Sequence, residues 1–157
     1  MRAFRRGFER ALEWVVIALM IGLAAVVTAG VAFRYTGAAL VWYDEVASIL
    51  LAWVTYYGAA LGALRRAHIG VPELVRMLRP ELRVVATLVA EAFVFAFFIL
   101  LAWVGYRILE ILASDTLITL PGVSVAWAQS VIPIGAVLFI IAQALTLPQA
   151  LQEARDP

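Results

Sequence analysis

Cysteine is absent from the 157-residue chain, which excludes a disulfide framework, a thiolate nucleophile and an iron–sulfur site. Histidine occurs once, as His68, so a single copy cannot clamp a haem between two imidazoles. Charge is scarce too: 15% of residues are charged, against about a quarter in soluble domains. The basic residues are all Arg, and the net charge of +1 gives no reason to expect a nucleic-acid partner. What fills the chain instead is apolar sequence, 65% of it, with a mean hydropathy of +0.98. A soluble fold so composed could not cover its surface with polar groups. The composition points to a bilayer.

Four apolar stretches have the length to cross about 30 Å of hydrocarbon. They cover residues 14–33, 46–64, 84–106 and 125–147. Backbone groups in lipid must be satisfied internally, so each is expected to be a helix. The fold class is therefore an all-α membrane protein with four transmembrane helices, read as one domain over 1–157. The first stretch follows Arg2, Arg5, Arg6 and Arg10 but is too long for a signal-peptide core, and reads as an uncleaved anchor. Five further Arg (65, 66, 76, 79 and 83) lie between the second and third stretches. By the positive-inside rule that connection and both termini are cytoplasmic. No internal repeat is found, whereas many transporters that move substrate alone are built from paired repeats.

Between the second and third stretches, Val71, Leu74, Val75 and Leu78 recur at helical spacing, with Glu73, Arg76 and Arg79 on the other side. This predicts a short amphipathic helix over about 71–79 in the membrane interface, with Pro72 in its first turn. Pro80 and Glu81 then suit the start of the third span.

Few residues invite chemistry. Glu91 is the sharpest candidate, roughly 12 Å into the bilayer at 1.5 Å per residue. Such acids often mark ion or proton paths. The plainer and favoured reading is a protonated or hydrogen-bonded Glu packed against another helix, with Thr87 one turn away and Gln143 approaching from the fourth span. Asp44 and Glu45 precede the second span, where acids suit the helix dipole; Asp44 is expected to cap it, and Arg34 to pair with either acid. No third ligand lies near them in sequence, so no metal site is expected. His68 reads as an interface residue. Gly58 and Gly62 form a GxxxG that permits close helix approach, and Ala18, Gly22, Ala25 and Ala29 a small-residue stripe. Trp42 reads as an interfacial anchor, while Trp53 lies near mid-span, facing lipid or a partner. Pro133 is expected to weaken or bend the fourth span. No nucleophile–base arrangement is present, so an enzyme is not expected.

The order Arg34-Tyr35, Trp42, Asp44-Glu45, Trp53, Gly58-Ala59, Arg65, His68-Ile69, followed by Leu120-Pro121 and Pro133-Ile134-Gly135, resembles the small membrane (Q, DctQ-like) subunit of tripartite ATP-independent periplasmic (TRAP) transporters. Pro72-Glu73 departs from the family, which often has an Asp there. The resemblance implies a bacterial inner-membrane protein paired with a large elevator subunit that holds the sodium and substrate sites. It implies a periplasmic binding protein that delivers an organic acid, contacts with phospholipid, and no cofactor in this chain. The small subunit would brace the static scaffold and help dock the binding protein, with no catalytic residues to carry over. Two other readings stand beside it: an autonomous proton-coupled exporter using Glu91, and a membrane anchor of a redox complex.

Overall fold

The computed structural model describes residues 2–66 and 79–155. Its long helices are α1 (Arg2–Tyr35), α2 (Tyr43–Leu64), α3 (Pro80–Leu112) and α5 (Val131–Arg155), and the short α4 (Val125–Gln129) leads into α5. No strand is found among the described residues, only an isolated bridge between Thr116 and Ser124. Among the described residues, four helical stretches are long and apolar enough to cross a membrane, the last combining α4 with α5. The expected amphipathic helix and His68 lie outside the described residues, apart from Arg79. Its extended backbone caps α3, and Pro80 occupies the first turn, where a missing N–H costs nothing.

The helices run past the expected spans. α1 begins at Arg2 rather than near Trp14, because its arginines and glutamates favour helix and find partners at the C-terminal end of α2. The fourth span is split. Pro133 has no N–H to give the carbonyl of Gln129, and its ring crowds that carbonyl. The break therefore falls at Ser130, a turn upstream of the proline, and α5 then continues through Pro148 to Arg155.

The helices stand in an open row. α5 packs against both α3 and α2, and α1 packs against α2. α5 is accordingly the most enclosed, carrying Val131, Ala136, Phe139, Ala142 and Thr146 in buried positions. Leu12, Ala60, Ala63 and Leu64 join Phe139 and Ala142 in the core, with Phe98 of α3 stacked on Phe139 at 3.7 Å between ring centroids. The outer faces of α1 and α3 stay bare: Trp14, Ile21, Phe93 and Trp103 are all well over half exposed. Both termini share one end of the row, here the terminal end. The segments 36–42 and 113–124 form the loop end.

Glycines set the closest approaches, but not where the GxxxG suggests. A Cβ on Gly135 would lie 2.6 Å from the Cβ of Tyr56, and one on Gly105 would lie 2.9 Å from Ile132. One on Gly30 would enter the Tyr43 ring. A Cβ on Gly58, by contrast, would meet nothing within 4 Å, as would one on Gly22 of the small-residue stripe. Gly58 therefore does not seat a helix of this chain; Gly62 lies half-buried one turn on.

Candidate functional site

Three groups of polar contacts join helices distant in sequence, one at each end of the row and one inside it.

At the loop end α2 starts at Tyr43, two residues earlier than it would if Asp44 capped it. Trp42 is the N-cap residue and makes no side-chain capping bond, so Asp44 sits in the first helical turn instead. Arg34 meets neither Asp44 nor Glu45 in an ion pair. Its Nη2 donates to the Tyr43 hydroxyl at 2.8 Å, and the guanidinium lies 5.7 Å from the centroid of that ring. Asp44 stands beside the same hydroxyl.

Glu45 turns to the other loop. Its carboxylate accepts the backbone N–H groups of Ile118 at 3.0 Å and Thr119 at 2.9 Å, together with the Thr119 hydroxyl. The loop is shaped to present them: Leu117 N–H bonds Val123, Val123 N–H bonds Leu120 around Pro121, and Val125 N–H bonds Asp115. Leu117 is buried beneath while Ile118 stands 91% exposed. Sequence reasoning missed Ile118 and Thr119. The available signal was an acid pair with only one cation nearby, which left an acceptor to be matched elsewhere.

Inside the row, Trp53 donates its indole N–H to the Ala128 carbonyl at 2.9 Å, just before the helix break. Its ring packs against Trp127 at 5.2 Å and Tyr57 at 6.2 Å. Trp53 thus faces this chain's own fourth span, where an unclaimed carbonyl in hydrocarbon would be costly. Deeper, Gln143 donates to Glu91 at 2.7 Å, linking α5 to α3. Beside the break, Pro133, Ile134, Val137, Tyr106 and Leu109 line most of an open groove of about 370 Å³ between α5 and α3.

At the terminal end Arg65 lies 2.9 Å from Glu9 and 3.1 Å from Glu13, one turn apart on α1. These carboxylates, Glu9 foremost, raise the Arg65 guanidinium above its already high pKa. Arg5 donates to the Leu64 carbonyl at 3.1 Å, closing the C-terminus of α2. Arg66, which takes a left-handed backbone at φ 52°, reaches Glu153 of α5 at 2.6 Å. All these side chains are part-exposed, so they set the register of the termini more than they stabilise it.

These contacts link helices and loops, and no three His, Asp or Glu side chains converge among the described residues. The structure defines a multi-pass helical membrane protein whose interhelical polar contacts hold its spans in register.

Comparison with known proteins narrows that class. Residues 23–153 match the family described as tripartite ATP-independent periplasmic transporters, DctQ component, and the chain belongs to that family of transporter components. It is 35% identical over 96 residues to the C4-dicarboxylate TRAP transporter small permease protein DctQ of Vibrio cholerae, an overlap of 60% of this chain and 41% of that protein. The chain thus spans about two fifths of that relative's length.

Proposed function

We propose that this chain is the small permease subunit of a sodium-coupled TRAP transporter for organic acids. It braces the scaffold of a large membrane subunit that carries the sodium and substrate sites, and its loop end helps dock a periplasmic substrate-binding protein. C4-dicarboxylates are the first substrate class to try, since the relative in Vibrio cholerae is named for them. Both termini face the cytoplasm of a bacterial inner membrane, as the arginine distribution favours.

The observation that carries the reading, beyond the family, is the open row. Fully 0% of the most apolar window of α3 and 6% of that of α1 is buried within the chain, so the fold exposes broad flanks rather than enclosing a path. Its α3–α5 groove is lined by apolar side chains and Ser130. A brace needs such flanks; a self-sufficient carrier needs a polar site near mid-membrane.

The exporter alternative rests on Glu91. The Gln143 amide already engages that carboxyl group, which favours a static link between α3 and α5. The test is expression of this chain with and without a co-encoded large subunit and binding protein. Uptake should require all three, and Glu91→Gln should leave it largely intact. Robust transport by this chain alone would overturn the proposal.

A further inference from the structure

Polar side chains on the spans of this chain mostly have partners within it. Thr55 and Ser48 bond carbonyls of their own helix, Thr146 does the same, and Glu91 and Gln143 bond each other. Thr28 on α1 carries a single hydroxyl that its own helix can satisfy one turn back. Gln129 differs. Its side chain is exposed and makes no hydrogen bond within the described residues, although a glutamine amide offers two donor hydrogens and two acceptor lone pairs.

The depth of Gln129 follows from two contacts with α2. Gly135 lies against Tyr56, about 20 Å down the axis from Tyr43, and Gln129 stands about 9 Å back toward the loop end, at 1.5 Å per residue. That places it roughly 11 Å inside the loop end of α2. The bond from Trp53 to the neighbouring Ala128 carbonyl gives a similar level. α2 itself is about 33 Å long, close to the hydrocarbon thickness. An amide at that depth cannot reach the headgroups with a side chain of about 5 Å. Its own backbone carbonyl has moreover lost its helical donor to Pro133.

We infer that Gln129 and the helix break beside it form a contact surface for a transmembrane helix of the large subunit, which supplies a hydrogen-bonding group to the amide. Lipid tails offer no such group, and polar residues in membranes turn toward protein or water for this reason. The apolar groove next to the break, with Pro133, Ile134 and Val137 on its α5 wall, receives side chains of the same helix. The inference rests on the proposed pairing with a large subunit and adds to it which face is used.

The test uses the two membrane subunits co-expressed in native membranes. A photoreactive amino acid in place of Gln129 should cross-link to the large subunit on illumination. Gln129→Leu, which keeps the volume and removes the hydrogen bonds, should weaken the purified pair about threefold, the usual scale for one interhelical bond in a membrane. The melting temperature of this chain alone should not fall. Adducts with lipid only, or with a second copy of this chain, in a pair that still co-purifies would overturn the inference and leave the proposed function standing. Failure of the two subunits to associate at all would remove both.

Discussion

The two faces of α2 do opposite things, and a glycine marks each. The face toward α5 carries Trp53 and Tyr56, and it is closed: the indole bonds the Ala128 carbonyl, and Gly135 lies so near Tyr56 that a methyl group would not fit. Two residues further along, on the other side of the helix, Gly58 opens onto nothing within 4 Å. A small residue in a membrane helix is therefore ambiguous by itself. It marks close approach only where a partner is present to approach, and within this chain the partner is opposite Tyr56.

The largest expected effect breaks the closed face. In Gly135→Leu the new Cβ meets the Tyr56 Cβ, an atom fixed to its backbone, so α2 and α5 must separate. Overpacking of this kind costs about 1–3 kcal/mol, more than the roughly 1 kcal/mol gained by removing a helical glycine. The purified chain should lose thermal stability, and Gly135→Ala should lose less. Unchanged melting of Gly135→Leu would mean that the seam yields more easily than its geometry indicates.

The loop end supplies the next. Glu45→Ala leaves three donors of the 113–124 loop without their acceptor. Amide exchange at Ile118 and Thr119 should accelerate by roughly tenfold, while α5 remains protected. Arg34→Ala should leave those amides alone, because Arg34 bonds Tyr43 and not Glu45. A double-mutant cycle between positions 34 and 45 should show coupling near zero. Strong coupling would restore the ion pair that the sequence suggests.

A smaller effect is expected from Trp53→Phe, which keeps an aromatic ring but removes the donor to Ala128. Hydrogen bonds between helices in membranes average about 0.6 kcal/mol. Tryptophan fluorescence offers a second readout, since Trp127 packs on the same ring and its emission should shift.

These cases show what the sequence could and could not convey. The spans were legible because about twenty apolar residues in a row have one solution in lipid. Pro133 foretold a disturbance in the fourth span, though the break at Ser130 lies a turn upstream, where the carbonyl displaced by the ring is found. Gln143 beside Glu91 was also legible, since few groups at that depth can satisfy an acid. Pairings set by tertiary packing were not. Which loop Glu45 grips depends on how 113–124 folds upon itself, and no periodic pattern in those residues announces that fold. Arg34 and Glu45 were close in sequence, but proximity in sequence could not rank a tyrosine hydroxyl against a carboxylate.

The smallest effect sharpens the comparison most. Gly58→Leu is the same substitution as Gly135→Leu, on the neighbouring helix, and it should have the opposite sign in this chain alone. Nothing lies within 4 Å of the added Cβ, and the helix gains propensity, so stability should hold or rise by up to about 1 kcal/mol. A loss comparable to that of Gly135→Leu would show that the GxxxG face packs within the chain after all. If the isolated chain is unharmed but its association with a large subunit is weakened, then the open face of α2 is closed by the partner. The two glycines would then do the same job at two different interfaces, one internal to the row and one outside it.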